Sequence, residues 1–364
     1  MSPRVSVVIP SYNHAKFVRQ AIDSVLEQSF QDAEVCITDD GSHDESVEII
    51  RSLNDPRVRL EVFEKNQGAA VATNSAIRRS RGEYVAVLNS DDMCLPERLA
   101  IQVGFLDRHP EIGAVFGLPV FIDEAGNRIS NARDTFGIEF VRRSHTRHEW
   151  LRQFFFHGNC LCHPTAVVRR NVYEKVGLYD PRMANLPDFD MWVRICKSHE
   201  IHVLEDNLTA FRLLSAERNM SAERLDTRMR VSFEFFEILQ QYSALDLGEA
   251  KKVFAKDIEE LMLDTAMPYG WWLGELAIAT KLQPHKLFAL DSMFNCLAER
   301  NEGYLNFIRL SGRVDAFREQ MNMEVERSFG SAAFGKFSGI LRALLPVRMW
   351  NRLRTLKARF LLRE

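Results

Sequence analysis

Short apolar runs alternate with longer amphipathic stretches over residues 5–88. The apolar runs are compact and end at turn residues, which is typical of buried strands in a parallel sheet; they are Val5–Ile9, Glu34–Thr38, Val58–Phe63 and Tyr84–Leu88. The stretches between them carry apolar residues at helical spacing; they are Ala15–Gln28, Glu45–Leu53 and Ala69–Arg79. Strands and helices that alternate at these lengths predict an α/β fold with a doubly wound, parallel sheet.

The pattern changes along the rest of the chain. One more strand is predicted at Ala114–Phe121, a basic and loop-like segment lies around Arg142–His148, and Leu186–Cys196 indicates a loop that enters a helix. Residues 224–300 are rich in helical patterns and show no further strand signal. We therefore predict an α/β domain at residues 1–223, a helical C-terminal region at 224–333 and a distinct tail at 334–364.

Composition restricts the class of protein. The 364 residues are 46% hydrophobic and 27% charged, and the net charge of −3 gives no reason to expect nucleic acid as a partner. The six cysteines lack the density of a disulfide scaffold, which favours a reducing, cytoplasmic setting. Residues 1–10 lack the features of a signal peptide, and no apolar run is long enough to span a bilayer. We expect a protein that is not integral to a membrane.

Polar clusters fall at the carboxyl ends of three predicted strands: Ser11-Tyr12-Asn13, Asp39-Asp40 and Asn89-Ser90-Asp91-Asp92. Because ligands of doubly wound sheets bind at these ends, we expect one site at this edge of the sheet. The carboxylates of Asp91 and Asp92 repel each other and are costly to bury, and a hard cation such as Mg²⁺ or Mn²⁺ would offset that cost.

The other two clusters suit the remainder of a nucleotide ligand. Substrate phosphates typically fill the open positions of a cation that has only one or two carboxylate ligands. The Asp39 carboxylate can accept a hydrogen bond from a base N–H, and the Tyr12 ring can stack on that base. For Asp39-Asp40-Gly41 taken alone, an ordinary strand-to-turn sequence is an equal alternative.

Five motifs stand in a fixed order along the chain: VSVVIPSYNHAKFVRQAIDSVLEQSF, ITDDGSHDES, NQGAAVATNSAI, RGEYVAVLNSDDMCLPERL and LPDFDMWVRI. As an ordered set over residues 4–221, they resemble the family 2 glycosyltransferases of the GT-A fold, which has a Rossmann-like, mostly parallel sheet with flanking helices. The resemblance implies an inverting enzyme that moves a sugar from a nucleotide-sugar to an acceptor hydroxyl, with Mn²⁺ or Mg²⁺ as cofactor.

The resemblance also assigns roles to single positions. The nucleotide-base pocket matches Pro10, Ser11, Tyr12 and Asp39, with Asp40 beside it, and the segment that lines the donor matches Asn66, Gly68 and Asn74. The D-x-D motif matches Asn89, Ser90 and Asp91, with Asp91 and Asp92 as candidate ligands of the metal and diphosphate. Asp188, in PDFDMW, matches the catalytic base.

General chemistry supports the role of Asp188. Displacement at an anomeric carbon needs a base opposite the leaving group, and a carboxylate within hydrogen-bond reach can take the proton of the acceptor. The metal stabilises the charge that develops on the departing diphosphate. The alternative for Asp188 is an ordinary helix N-cap, and Asp190 is the reserve candidate for the base.

Three positions depart from the family pattern. Asn89 replaces the first acidic residue of the D-x-D motif, and Pro187 replaces the acidic residue before the base. Leu214 stands where many members have a histidine, which removes a possible ligand of metal or phosphate. Arg212 remains and is expected to meet the diphosphate; a surface salt bridge is an equal alternative.

The tail combines positive charge with an apolar face. Its basic residues face a single acidic one, Glu364; they are Lys336, Arg342, Arg348, Arg352, Arg354, Lys357, Arg359 and Arg363. Aromatic and aliphatic residues lie between them, as in helices that lie in an anionic membrane interface. The alternative is a helix packed on its own domain, and Pro346 is expected to divide the segment into two helices.

Taken together, the sequence predicts a metal-dependent, inverting glycosyltransferase that is peripheral on the inner face of the plasma membrane. The expected donor is a UDP-sugar, and the expected acceptor is a growing, lipid-linked surface glycan. One alternative is a non-catalytic module that binds a sugar nucleotide or glycan; Asp91, Asp92 and Asp188 argue against it, while Asn89 and Leu214 leave some room for it. The other is a nucleotidyltransferase, but PSYNHAKF lacks the glycines of a loop that holds a triphosphate.

Overall fold

The structure is a computed structural model that describes residues 2–130, 140, 143–214, 225–280 and 282–298. The chain forms two compact units, Met1–Ala289 and Leu290–Glu364, and the features below belong to the first, except for the end of the last helix at residues 290–298. The predicted boundary at residue 223 and the tail at 334–364 fall outside the described residues.

Eight strands form one sheet in the order β3-β2-β1-β4-β7-β6-β8-β5. Their bounds are β1 Val5–Ser11, β2 Ala33–Asp39, β3 Val58–Val62, β4 Tyr84–Val87, β5 Met93–Cys94, β6 Ile112–Ile122, β7 Val167–Arg169 and β8 Glu200–Arg212. Strands β1 to β4 pair with one another in parallel, and β6 pairs with β8 in parallel. Only the pairings of β7 with β4 and β6, and of β5 with β8, are antiparallel. The predicted mostly parallel sheet is confirmed.

The register brings the predicted polar clusters to one edge. Ser11 lies opposite Asp39 at the last paired position of β1 and β2. Val8 lies opposite Val87, so the chain leaves β4 for Asn89 beside the end of β1. Parallel pairing of β1 with both neighbours is what places these three carboxyl ends together.

Helices flank the sheet. Those of the α/β part are α1 Val18–Leu26, α2 Ser46–Arg51, α3 Ala69–Arg79, α4 Arg98–Arg108, α5 Arg147–His157, α6 Arg170–Val176 and α7 Pro187–Cys196. Those that follow are α8 Leu225–Ser243, α9 Leu247–Val253, α10 Ala255–Glu260, α11 Tyr269–Ala279 and α12 Gln283–Ala298. The predicted helical C-terminal region is confirmed as far as it is described. No helix in that part of the chain combines the length and apolar character needed to cross a bilayer.

The main core lies between the sheet and helices α1 and α4. Val18, Ile22 and Val25 of α1 recur at helical spacing and are buried against the apolar side chains of β1 and β2. Burial of each such side chain stabilises the fold by about 1.5–3 kcal/mol. Arg98 of α4 is fully buried, and its guanidinium donates to the carbonyl oxygens of Val87 at 2.9 Å and Ala166 at 3.2 Å. The buried cation therefore holds the end of β4 in place.

Helix α5 begins inside the segment that was predicted to be loop-like. Thr146 and Glu149 form a capping box, in which the Thr146 side chain accepts from the Glu149 backbone and Glu149 accepts from the Thr146 backbone. The loop prediction is therefore wrong for the end of Arg142–His148. The basic residues hid the start of the helix, because they interrupt the apolar periodicity that continues at Trp150 and Leu151.

Candidate active site

The residues predicted to form the base pocket lie at the ends of β1 and β2. Ser11 is 2% exposed, and its Oγ has no hydrogen-bond partner among the described residues. A buried hydroxyl without a partner is costly, so a ligand atom at this position would relieve that cost. The Tyr12 ring beside it is exposed and available for stacking. Pro10 precedes them as part of β1 and fixes the backbone before the turn.

The two carboxylates at the end of β2 have different hydrogen-bond partners. Asp39 is fully buried and accepts from the Ser42 backbone N–H at 2.8 Å and from Ser42 Oγ at 2.7 Å. Asp40 accepts from the backbone N–H groups of Gln67 at 2.7 Å and Gly68 at 2.8 Å. Asp40 therefore holds the loop before α3. Burial raises the pKa of the Asp40 carboxyl, and these two hydrogen bonds oppose the shift.

The loop before α3 is shaped by glycines. Gly68 has a φ of +100°, a conformation that favours glycine, and it directly precedes α3. Gly41 has a φ of +74°, and a Cβ there would lie 2.8 Å from the carbonyl carbon of Lys65. Asn66, between Lys65 and Gly68 in the chain, is exposed. The close approach of the two loops brings Asn66 and Gly68 near the end of β2.

Asn74 joins two elements. It is 3% exposed, donates to the Tyr179 carbonyl at 2.7 Å and accepts from the Tyr179 backbone N–H at 2.9 Å. Its amide thus connects α3 to the segment that precedes α7. Both hydrogen-bonding functions of the amide are used within the protein, and the predicted contact of Asn74 with the donor stays a prediction.

Asp92 is the more buried member of the acidic pair after β4, and its predicted role as a ligand of the metal stays a prediction. It is 1% exposed and accepts from Asn89 Nδ2 at 2.9 Å and from the Arg212 backbone N–H at 2.7 Å. Burial and the neighbouring Asp91 raise the pKa of the Asp92 carboxyl well above its usual range. Asn89, which stands at the first position of the predicted D-x-D motif, therefore supplies an amide N–H to the buried carboxylate of Asp92.

Asp91 has the free carboxylate of the pair. It is half-buried, and within the described ranges no other residue forms a hydrogen bond or ion pair with its carboxylate oxygens. Burial raises its pKa, while the ring of His14 acts in the opposite direction. A desolvated, unpartnered carboxylate is the kind of group that a hard cation stabilises.

A divalent cation fits this donor set only with help from a ligand. No group of three or more His, Cys, Asp or Glu side chains in the described part of the chain is arranged to hold a metal ion. Mg²⁺ is commonly bound by one or two carboxylates together with substrate phosphates and water. The unpartnered Asp91 carboxylate fits that mode of binding, in which a diphosphate would complete the coordination.

Arg212 binds the acidic loop to the rest of the domain. The side chain is buried, so the alternative of a surface salt bridge is wrong. Its Nε donates to the Asp91 carbonyl at 2.7 Å, and one terminal nitrogen donates to Gln20 Oε1 at 2.9 Å. The other terminal nitrogen donates to the carbonyls of Asp123 and Glu124. The expected contact of Arg212 with the diphosphate stays a prediction.

Asp188 lies at the start of helix α7. It is the second residue of the helix, and the N-cap is Leu186, so the alternative that Asp188 is the cap is wrong. One of its oxygens, Oδ2, accepts from Asn159 Nδ2 at 2.7 Å. The residue is half-buried. Asn159 thus orients the predicted base, a contact that sequence patterns did not reveal.

The buried carboxylate of Glu234 fixes the approach to α7. Three backbone N–H groups donate to it, from Ala184 and Asn185 at 2.9 Å and from Leu186 at 2.7 Å. The reserve candidate Asp190 is 5% exposed and accepts from the Arg194 side chain and from Gln241 Nε2. Because Asp190 is already paired, Asp188 is the better placed of the two for catalysis.

The Cys162 thiol is buried, and both acidic regions act on it electrostatically. Burial raises the pKa of its thiol well above the usual range, and the carboxylates of Asp92 and Asp188 raise it further. The acidic loop and the start of α7 therefore both lie near this residue. His163 beside it has a lowered pKa because of burial, which the nearby Asp188 opposes, and its Nε2 lies 3.0 Å from the Tyr179 hydroxyl.

A cavity in the described part of the chain lies away from the strand ends. It has a volume of about 680 Å³ and is lined by α3, α7, α8 and the segment before α7. Asn74 and Asp190 contribute to its wall, whereas Asp39, Asp91 and Asp188 do not. The strand ends remain the better candidate site, because the unpartnered Ser11 hydroxyl and Asp91 carboxylate lie there.

Sequence comparisons show which family the chain resembles. A family model described as Glycosyl transferase family 2 matches residues 6–177. An uncharacterized glycosyltransferase of Nostoc sp. is 31% identical over 230 residues, which cover 60% of this chain and 67% of that protein. An uncharacterized glycosyltransferase of Methanocaldococcus jannaschii is 28% identical over 224 residues, covering 60% and 74%. The chondroitin synthase of Escherichia coli is 28% identical over 234 residues, but these cover only 32% of that protein.

Solved structures share the fold. S. aureus TarS 1–349 in complex with UDP-GlcNAc has a TM-score of 0.54 and 20% identity, with 77% of this chain and 82% of that chain covered. The same protein in complex with UDP has a TM-score of 0.53 and 18% identity, with 90% and 92% covered. At such low identity the likeness establishes the GT-A fold alone.

Proposed function

Because the chain belongs to the family 2 glycosyltransferases, we propose that it transfers a sugar from a nucleotide-sugar to an acceptor hydroxyl, with inversion at the anomeric carbon. The observation that carries the proposal is the convergence of unpartnered polar groups at the strand ends. Ser11 Oγ and the Asp91 carboxylate each lack a partner among the described residues. Asp188 lies near the same region, since it and Asp92 both act on the Cys162 thiol.

The proposed donor is a UDP-sugar. Complexes of TarS with UDP and UDP-GlcNAc support this choice, because TarS shares the fold. The exposed Tyr12 ring would stack on the base, and the Asp39 carboxylate would accept from a base N–H. Asp39 already accepts two hydrogen bonds from Ser42, but a carboxylate has about four acceptor positions and can take another.

Asp91 would hold the cofactor, Mn²⁺ or Mg²⁺, together with the diphosphate. When bound, the cation supplies neutralisation of the charge that builds on the departing diphosphate. Asp92 is proposed to contribute through the shape of the loop, because both of its oxygens accept hydrogen bonds from the protein. Asn89 would help to shape the same loop, because its side-chain amide donates to the Asp92 carboxylate.

Asp188 would act as the general base. Asn159 holds Oδ2, which leaves Oδ1 for the acceptor hydroxyl. As the hydroxyl oxygen attacks the anomeric carbon, its proton passes to the carboxylate and the bond to the diphosphate oxygen breaks. His163 and Cys162 near Asp188 would line the acceptor side, where burial keeps their side chains uncharged.

The acceptor is proposed to be a growing, lipid-linked surface glycan, reached by a protein that is peripheral on the inner face of the plasma membrane. The basic, apolar tail at 334–364 supports this location. The division into an α/β domain at 1–223, a helical region at 224–333 and this tail is retained as part of the proposal.

Release of nucleotide diphosphate tests the proposal. The protein is incubated with Mn²⁺, a panel of nucleotide-sugars and glycan acceptors, and the released diphosphate is measured. Release from one donor, dependent on Asp188, is the expected result. A competing candidate is a module that binds the nucleotide-sugar without turnover, which Asn89 favours because a family carboxylate is missing there. Tight binding of UDP without any release would favour that module.

A further inference from the structure

His14 lies at the acidic loop although it follows a different strand. Its backbone N–H donates to Ser46 Oγ at 3.0 Å, and its ring packs edge-on against Phe17. The ring nitrogen Nδ1 lies 2.7 Å from Ser90 Oγ, within the D-x-D segment. The following residue is also held, since the Ala15 backbone N–H donates to Asp44 Oδ2 at 2.9 Å. The imidazole is therefore fixed in place before any ligand arrives.

The partner of Nδ1 decides which ring nitrogen carries the proton. Ser90 is 2% exposed, and His14 Nδ1 is the single hydrogen-bond partner that its hydroxyl has within the described residues. A buried hydroxyl needs an acceptor for its proton, and Nδ1 is the available acceptor. In the neutral ring the proton then resides on Nε2, which becomes a hydrogen-bond donor.

Nε2 is available to a ligand. The His14 ring is half-buried, and none of the described residues forms a hydrogen bond with Nε2. The contact with Ser90 places the ring beside the residue that directly precedes Asp91. A protonated ring nitrogen cannot ligate a metal, whereas it is a good donor to a phosphate oxygen.

We propose that His14 Nε2 donates a hydrogen bond to the diphosphate of the donor, beside the cation that Asp91 holds, and that Ser90 positions the ring by fixing its tautomer. This inference rests on the proposed function, since it presumes that a nucleotide diphosphate binds at the strand ends. It adds to the site a group from the loop after β1, which contacts the leaving group directly.

Nitrogen-15 NMR of the metal-free and ligand-free protein tests the tautomer. The expected spectrum shows the His14 proton on Nε2 in the wild type at mildly alkaline pH. Ser90→Ala should weaken this preference, so that a minor Nδ1–H population appears as in a free imidazole. A wild-type proton on Nδ1 would overturn the proposal, because Nε2 would then be an acceptor suited to a metal.

Calorimetry with UDP tests the contact, in the presence of Mn²⁺ and separately of EDTA. His14→Asn keeps a polar group near the Nδ1 position and loses the distal donor, so UDP affinity should fall about tenfold under both conditions. His14→Gln places an amide N–H₂ near the Nε2 position and should retain most of the affinity. Uridine, which has no phosphate, should bind both variants as it binds the wild type.

Each contrary result has a distinct meaning. If His14→Asn bound UDP as tightly as the wild type does, the role of His14 would be overturned and the proposed function would still stand. If His14→Asn lost only the gain in affinity from Mn²⁺, His14 would be a metal ligand and the proposal would be wrong. A wild type that binds no nucleotide diphosphate would overturn the proposed function and this inference with it.

Discussion

Asp91 and Asp92 are neighbours in the chain, yet their carboxylates have different surroundings. Asp92 is buried and accepts two hydrogen bonds, while Asp91 is half-buried and has no such partner within the described ranges. The residue types alone predict only an acidic pair. The difference arises from Arg212, whose backbone N–H reaches Asp92 from a point 120 residues further along the chain.

Alanine substitutions should separate these two tasks. Asp92→Ala leaves the buried donors of Asn89 and Arg212 without an acceptor, so the free energy of unfolding should fall by about 1–3 kcal/mol for each orphaned donor. Asp91→Ala removes a desolvated, unpartnered charge and should not lower the stability of the metal-free protein. It should instead abolish the dependence of UDP binding on Mn²⁺. Denaturant unfolding and calorimetry measure the two effects, and equal effects of both variants on stability would contradict the division.

At the scale of elements, helix α7 depends on contacts that lie far apart in sequence. Glu234 of α8 accepts from the backbone before α7, and Asn159 after α5 holds Asp188. Both contacts therefore support the start of α7, where the predicted base Asp188 lies. The hydrogen bonds of the Glu234 carboxylate to three backbone N–H groups could not be predicted from the sequence, because such contacts leave no periodic pattern of apolar residues.

Substitution of Glu234 should loosen the start of α7. In Glu234→Gln the amide can no longer accept from all three backbone groups, so the free energy of unfolding should fall by about 1–3 kcal/mol. Hydrogen exchange at residues 184–186 should accelerate, and turnover should fall. Glu205→Gln is a matched control on the exposed middle of β8, expected to change stability by less than about 0.5 kcal/mol. Unchanged exchange at 184–186 in Glu234→Gln would show that the contact does not hold the helix.

The contact between α5 and α9 predicts a dependence on pH. Lys252, His148 and Arg147 hold the pKa of Glu249 at about 2, below its usual value of 4.5. The ionised form is favoured by folding, so this stabilisation is present above about pH 4.5 and is lost as the pH falls toward 2. The difference in unfolding free energy between the wild type and Glu249→Gln should therefore shrink over this window. A difference that stays constant across the window would contradict the ion-pair assignment.

Periodicity predicted the long, regular elements and missed the short ones. Helix α3 has the bounds that the pattern predicts, and strands β1 to β4 differ by at most a few residues. Strands β5 and β7 span only two and three residues, too few for any periodic signal. Strand β8 was missed because the exposed residues Glu205, Asp206 and Asn207 interrupt its apolar alternation. Ser90, Asp91 and Asp188 were predicted as site residues, but His14, Asn159 and Glu234 act through side-chain hydrogen bonds that leave no pattern.

At the scale of the whole molecule, the mostly parallel sheet and the order of its strands place the polar clusters on one edge. Strand β6 pairs with β7 on one side and with β8 on the other, which extends the same sheet to Arg212. The Arg212 side chain then contacts the acidic loop at the Asp91 carbonyl. The helices from α8 onward add Glu234 to the support of α7. The tail at 334–364 lies outside the described residues, and its membrane role stays a prediction.

Deletion of residues 334–364 should release the protein from anionic liposomes. Each basic residue near an anionic surface contributes about 1 kcal/mol, and the apolar residues between them add burial in the interface. Binding of the full chain should weaken with salt without disappearing, because salt screens only the charge. Cosedimentation with liposomes measures both effects. If the truncated protein unfolds, or the full chain ignores the liposomes, the tail is a packed part of the fold instead.

Turnover by Asp188→Asn, compared with Asp190→Asn, tests the central claim most directly. Diphosphate release is measured with the donor that the wild type uses, and UDP affinity is measured alongside. Asp188→Asn should bind UDP normally and lose about 10²–10⁴-fold in turnover, as expected for a lost general base. Asp190→Asn should lose stability with its Arg194 pair and keep most of its turnover when folded. Near-normal turnover in Asp188→Asn would contradict the assignment of the base and, with it, the proposed mechanism.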